Sequence, residues 1–528
     1  MLRIKYIWFV IGAVILSSCE QGKYDREIEP PVDVVSGDAD FSKMVSLGAS
    51  FVSGVSDGTV FINSQENSFP NIMAKQMELA GGGEFVQPLV DDNIGGLLLN
   101  GDVYTGPRLY FNGAAPVPVE GTPSTEITNV ISGPFNNMGV PGAKSFHLVA
   151  PGYGNVAGVE LGLANPYFAR MASGPNVTVL EDAASQFPSF FVISEIAGND
   201  VLGYATSGGT GVDQTGNFDP STYGPNDITD PNVFAQVLNT VVETMTAGGA
   251  KGVIGNIPAV TSLPYFTTVP HDPLDPNTIP EYAEQIPLLN AAYAQLNQAF
   301  VAIGYPDRQV FFSEDEPSPV VIHDESLQNI SPLLKGALLF GGVTEPTATI
   351  LSAQYAQSRQ ANENDLLVLT SSGAISSINE EYFTFLTGLG VPPELAGQLS
   401  VNGLTFPLED KWVLLPSEQE AVMNATDAYN QAITAVATQK GLGFVDAKGL
   451  LEQLSNGGVS SNGFILTGDY VTGGAFSLDG IHLNARGYAF LANEFLKAID
   501  ETYGSNFEDA GALVDIGKYP AFYGPILP

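Results

Sequence analysis

The feature that most constrains this chain is a set of short apolar runs, each closed by glycine or a polar turn, that alternate with amphipathic helical stretches. Residues 43–47 form the first run and lead to Ser50 in "SLGASFVSG". "PSFFVISEIAGNDVLGYA" carries another, apolar over 190–196 and broken at Gly198. "PNVFAQVLNTVVETMTAGGAKGVIGNIP" reads as a helix near 232–247, a Gly248-Gly249 stop and a strand over 252–257. "DLLVLTSS" (365–372) is a further predicted strand, and "GLGFVDAKGLL" holds one that ends at Asp446. Helical patterns occupy about 281–303 and 417–439, and a last helix runs from near Asn484 to about Thr502. Apolar strands alternating with helices predict an α/β fold, a three-layer α/β/α sandwich with a mainly parallel sheet covered on both faces. Ligands of such sheets bind beyond the carboxyl ends of the strands, where Ser50 and the Gly198-Asn199-Asp200 loop fall. The long, Pro-rich stretch at about 264–417 separates elements that a compact sheet would join directly, and it reads as an insertion or lid.

The 528 residues, 44% hydrophobic, are enough for one large domain or two ordinary ones. Acids outnumber bases 57 to 19, and a net charge of −38 argues against nucleic acid as a partner. At the N-terminus Arg3 and Lys5 precede an apolar run over 6–16, too short for a stable membrane span and read as a signal-peptide core. Leu16-Ser17-Ser18-Cys19 then resembles the lipobox of bacterial lipoproteins. That resemblance implies cleavage after a signal peptide of residues 1–18 and a diacylglycerol on the Cys19 thiol. The membrane would then be a partner, in the bacterial cell envelope and most naturally on the outer membrane. The alternative is an ordinary secretion signal with a chance cysteine. Cys19 is the only cysteine, so no intramolecular disulfide forms. Residues 19–40, acidic and poor in large apolar groups, are expected to be a flexible tether.

Ser50 alone is either a solvated turn residue or a nucleophile. A nucleophile needs a base, a group that orients the base, and donors for the oxyanion. The chain has four histidines, and one of them, His482, follows Asp479 by three residues just before Asn484, a predicted N-cap. An Asp-x-x-His pair on such a loop can bring both side chains to one side; the competing reading is a solvated turn with a capping aspartate. His271 lies in a proline-laden loop and reads as structural or rim. His323-Asp324 reads as a surface pair within the insertion, and His147 as a packing residue near the site. Asp57, with Gly54 and Gly58, is expected to shape the turn after Ser50, and Asp200 to brace the Asn199 loop. No Cys/His cluster has zinc spacing, so no metal is expected.

Taken together the motifs resemble those of the SGNH, or GDSL-type, hydrolases. "SLGASFVSG" looks like their first block, "NNMGVPG" the second, "AGNDVLG" the third and "LDGIHLN" the last, in family order across about 40–505. The resemblance implies a flavodoxin-like sheet within a hydrolase domain at 41–515, followed by a tail at 516–528. It implies Ser50 as nucleophile, His482 as base and Asp479 as its orienting carboxylate. The oxyanion donors it implies are the N–H groups of Ser50 and Gly139 and the amide of Asn199. The implied activity is ester hydrolysis through an acyl-serine without a cofactor, on an acylated glycan, a lipid ester or a small acyl ester. A non-catalytic glycan-binding lipoprotein and an acyltransferase are the alternatives. One departure stands out: the family's usual Gly-Asp-Ser is Gly48-Ala49-Ser50 here, so the carboxylate that normally braces the nucleophile loop is missing.

Overall fold

The computed structural model of the protein describes residues 32–527, and the expected signal peptide, Cys19 and most of the expected tether lie outside them. Five strands build the central sheet: β1 (Met44–Gly48), β2 (Asn137–Gly139), β3 (Phe190–Ser194), β4 (Lys251–Gly255) and β5 (Gly443–Val445). They are parallel throughout and lie in the order β5-β4-β3-β1-β2. That 2-1-3-4-5 order is one of the common doubly wound arrangements, in which the chain starts in the middle of the sheet and winds outward both ways. Every residue of β1 and β3 is buried. This is why their sequences are apolar without alternation: both faces of each strand meet helices.

The helices that matter for the site are α1 (Ser50–Ser53), α2 (Phe69–Met77), α3 (Asn199–Thr206), α4 (Pro231–Thr246), α5 (Pro416–Lys440), α6 (Ala447–Ser455) and α7 (Ala485–Tyr503). α7 packs against α2, β4 and β5, with Phe69 stacked on Phe495 at 4.9 Å. α5 packs against α3, α4 and β4. α4 starts at a proline in its first turn, with Asp230 accepting the N–H groups of Asn232 and Val233. Asn430 on α5 exchanges two hydrogen bonds of 2.8 Å with the backbone of Ile257, which fixes the segment leaving β4.

The mixed α/β class, the parallel sheet and the expected helices are all present. Boundaries differ by a residue or two; β3 stops at Ser194 and β4 at Gly255, each two residues before the expected end. The predicted strand at 365–372 is corrected. Only Leu366–Leu367 is extended, paired antiparallel with Val413–Leu414 outside the main sheet, and residues 369–373 coil into a 3₁₀ turn. Its apolar residues divide between two cores: Leu366 and Val368 pack with the main one, and Leu367 joins a second. Between β4 and β5, residues 274–415 hold a separate hydrophobic cluster around Tyr293, Phe300 and Val321. β2 went unrecognised as a strand because it has three residues, one of them glycine. Ordered packing begins slightly before residue 40: Asp38 N–H donates to Tyr503 O at 2.8 Å and Ala39 is buried. The C-terminal segment is docked, with Tyr523 edge-on to Phe61 at 5.0 Å. Among the described residues no helix is long and apolar enough to cross a membrane.

Gly48 ends β1 with a φ of +154°, and a Cβ there would lie 2.1 Å from the Ser194 carbonyl oxygen of β3. A backbone atom cannot step aside cheaply, so Gly48→Ala should lose more than about 4 kcal/mol or fail to fold. Gly248→Ala, whose Cβ meets nothing within 4 Å, should stay within about 0.5 kcal/mol of wild type. Urea unfolding of both variants checks the contrast.

Candidate active site

β1 and β3 end side by side, and each sends a side chain past the sheet edge. After β1, Gly48 and Ala49 turn the chain directly into α1, so Ser50 opens that helix and is 4% exposed. After β3, Glu195 adopts a left-handed φ of +56°, uncommon for a residue with a Cβ. The turn then folds its side chain back: a Cβ on Gly198 would lie 2.6 Å from Glu195 Cγ, so glycine is needed there. As a result the Ser50 hydroxyl donates to Glu195 Oε1 at 3.0 Å, and the Phe51 N–H donates to Oε2 at 2.8 Å. Burial raises the Glu195 pKa; the nearby His482, the Phe51 N–H and the Ser50 hydroxyl oppose that rise.

The opposite end of the chain meets this pair. Asn484 caps α7 by accepting the Gly487 N–H at 2.9 Å, and its amide donates to Gly474 O and Phe476 O at 3.1 Å. In the loop before it, His482 Nδ1 lies 2.8 Å from Asp479 Oδ2. Asp479 Oδ1 accepts the N–H groups of His482 and Ile481 at 2.8 and 2.9 Å, and the Ser477 hydroxyl at 3.0 Å. Two hydrogen bonds stitch this loop to the turn after Ser50: Gly58 N–H to Asp479 Oδ2 at 2.9 Å, and Leu478 N–H to Asp57 Oδ1 at 3.0 Å. Each crosses 421 residues of sequence. The Phe51 and His482 rings are 5.7 Å apart. Burial would raise the Asp479 carboxyl, but His482 and the hydrogen bonds hold it well below the usual carboxylate range. Burial also disfavours charge on His482, yet Asp479 foremost, and Glu195 with it, raise its pKa above the ordinary value. Since Asp479 only accepts, Nδ1 carries the hydrogen and Nε2 is left as an acceptor.

The expected oxyanion donors are differently engaged. Gly139 N–H donates to Asn137 Oδ1 at 3.0 Å, and its Cα faces α1, where a Cβ would lie 2.3 Å from Ser53 N. Asn199 Nδ2 donates to Ala143 O at 3.0 Å, which uses one of its two amide hydrogens. Just before Ala143, Gly142 takes a left-handed φ of +77°, and its N–H, like that of Ser50, has no partner among the described residues. Asp200 braces the loop, accepting the Ser145 N–H and hydroxyl at 2.8 and 2.7 Å.

Sequence reasoning missed Glu195. Its signal was a lone acid in the apolar run "FFVISEIAG", where a carboxylate is rarely buried without partners. Among the other histidines, His147 is packed, stacked on Tyr153 at 4.4 Å, and burial lowers its pKa to about 4. His271 lies 3.9 Å from Asp272, and its backbone carbonyl accepts the Val320 N–H at 3.2 Å. The expected surface pair His323-Asp324 is corrected: Asp324 is buried and accepts Arg359 Nε at 2.6 Å. Three carboxylates, Glu325, Asp410 and Glu418, lie within 4.8 Å of one another. Burial, and the proximity of Glu325, raise Asp410 and Glu418 above the usual carboxylate range. No protein family, curated protein or solved structure matches the chain.

Two measurements probe this electrostatic layout. In an NMR titration the His482 imidazole should titrate above 6.5, fall in Glu195→Gln, and fall further in Asp479→Asn. An unchanged value in Glu195→Gln would show that the carboxylate does not act on the ring. Separately, burial pushes Asp57 up to about 7. The folded protein therefore keeps a proton that the unfolded chain releases near pH 4, and the associated stability is lost as pH rises through about 7. Between pH 5 and 8, wild type should lose on the order of 3 kcal/mol relative to Asp57→Asn, read from urea unfolding at both pH values.

Proposed function

We propose that this chain is a serine esterase of the SGNH type, with Ser50 as nucleophile, His482 as general base and Asp479 as the carboxylate that holds the base. One observation carries the reading. A buried serine opens a helix at the carboxyl edge of a parallel sheet, and an Asp–His pair 2.8 Å apart is tied to the turn that follows it. The four ordered sequence blocks support it further. In the resting arrangement the Ser50 hydroxyl is held by Glu195; for reaction it rotates about χ1 and takes His482 as acceptor. His482 removes its proton as Ser50 Oγ bonds to the ester carbonyl carbon. The same proton passes to the leaving alkoxide as the carbon–oxygen bond breaks. Water then attacks the acyl-serine with His482 again as base, which releases the acid and restores Ser50. The oxyanion is met by the Ser50 N–H, by the second amide hydrogen of Asn199, and by the Gly142 N–H in the role first expected of Gly139. Glu195 supplies from β3 the carboxylate that Ala49 cannot, bracing the nucleophile loop through the Phe51 N–H.

The lipobox-like Leu16–Cys19 run and the acidic tether support attachment through a lipidated Cys19 in a bacterial envelope, on the outer membrane. A second reading, a non-catalytic glycan-binding lipoprotein on the same fold, is favoured by one observation: Glu195 and not His482 holds the Ser50 hydroxyl.

A fluorophosphonate probe with p-nitrophenyl acetate separates the two readings. The esterase reading expects labelling of wild type that is abolished in Ser50→Ala, and a loss of about 10⁴-fold or more in turnover for His482→Ala and Asp479→Asn. Intact protein that neither labels nor turns over supports the binder.

A further inference from the structure

The segment between β4 and β5 carries a groove of about 390 Å³, lined by parts of 370–381 and 402–412. That size falls within the roughly 300–1,000 Å³ of small-molecule sites. Trp412 is the aromatic residue in its wall, and the same side chain packs against both hydrophobic clusters, which holds it in place. Lys411 Nζ stands 5.3 Å from the indole centroid and 2.8 Å from Glu409 Oε2. Exposed pairs of this kind are worth little in water, so a ligand face can displace the ammonium. The amides nearby are half used: Asn379 Nδ2 donates to Asn402 Oδ1, and Asn402 Nδ2 to Ser377 Oγ, both at 3.3 Å. Each amide nitrogen carries a second hydrogen with no partner among the described residues. Glu380 and Glu381 are exposed, and their carboxylates accept no hydrogen bond among the described residues. Ser376, beside Ser377, is held at a left-handed φ of +65°, with its N–H donating to Asn402 O at 2.9 Å. Strain of this kind in a residue with a Cβ gathers at ligand clamps.

A fixed indole, unspent amide hydrogens and unpaired carboxylates in one groove suit a ligand with an apolar face and a rim of hydroxyls, which is the chemistry of a pyranose ring. The C–H face lies on the indole, an amphipathic surface with a polar N–H at its edge. Ring hydroxyls accept from the amides and donate to the carboxylates. Three carboxylates, Glu380, Glu381 and Glu409, stand against the single Lys411 ammonium, so an acidic sugar is turned away by like charge. We propose that this groove is a carbohydrate site that takes a neutral sugar chain. It shares no residue with the Ser50, Asp479 and His482 cluster, and it holds whether or not Ser50 forms an acyl-enzyme. It is nonetheless a neighbour of that cluster. Thr370 Oγ1 in its wall lies 3.3 Å from the Tyr265 hydroxyl, and the Tyr265 N–H donates to Gly480 O in the loop bearing His482.

The test is calorimetric titration of the full chain with mannohexaose, xylohexaose and maltohexaose, and with hexagalacturonate as the acidic counterpart. At least one neutral probe should bind and shift the tryptophan emission, to which only Trp8 and Trp412 contribute. Hexagalacturonate should bind about tenfold more weakly or not at all. Trp412→Phe should abolish the emission shift and weaken the neutral probe about tenfold. Since Trp412 also serves both cores, a second variant fills the groove from a neutral position. Gly373 lines it, and a Cβ there meets nothing within 4 Å, so Gly373→Leu should fold and lower the same affinity about tenfold or more. No binding of any neutral hexaose, hexagalacturonate bound as tightly as the neutral probes, or an unchanged affinity in folded Gly373→Leu overturns the proposal. Fluorophosphonate labelling of the same preparation keeps this apart from the esterase reading. Labelled protein that binds no sugar leaves the esterase standing and removes the groove. Sugar binding that Gly373→Leu weakens, in protein that takes no label, supports the groove and removes the esterase.

Discussion

The buried carboxylate of Glu195 is the contact on which the rest of this site depends. It joins the ends of β1 and β3 by accepting from Ser50 and from the backbone of Phe51, and its charge reaches His482. An isolated carboxylate in such surroundings would cost several kcal/mol. Two donors and the imidazole offset that cost. The strained φ of Glu195 and the bare Cα of Gly198 are the local means by which the side chain is folded into place. Remove the carboxylate and three things change together: the orientation of the Ser50 hydroxyl, the anchoring of α1, and the proton affinity of His482.

The sheet and its order follow from residues that can be read directly. β1, β3 and β4 are apolar on both faces because helices cover both, and the glycines and polar residues after them mark where the chain leaves the sheet. Asp479, His482 and the capping Asn484 were likewise legible, because their spacing on a loop before a helix has a mechanical meaning. Other parts were not. The "DLLVLTSS" run is as apolar as a sheet strand, yet it pairs outside the main sheet and divides its side chains between two cores, and only long-range packing makes that choice. Gly139 sits in a plausible motif, but its N–H is claimed by Asn137 two residues earlier, a local competition that sequence order does not reveal. Glu195 was hidden because its role depends on a partner 145 residues away.

The segment between β4 and β5 also bears on the site. Tyr265 N–H donates to Gly480 O at 2.9 Å, and a Cβ on Gly480 would lie 2.9 Å from Leu369 Cδ2. Gly480 is thus held by Tyr265 from the segment after β4, while its neighbours Leu478 and Asp479 are held by Asp57 and Gly58. The loop bearing the imidazole is clamped on both sides, which keeps its geometry steady without help from its own short sequence.

The hydrogen bonds spanning 421 residues also set an order of events during biosynthesis. At typical elongation rates of roughly 5–20 residues per second, Ser50 leaves the ribosome tens of seconds before Asp479 and His482 do. A nascent or prematurely terminated chain therefore carries Ser50 without the Asp479–His482 pair, and the candidate site is complete only when the last helix has been made and docked.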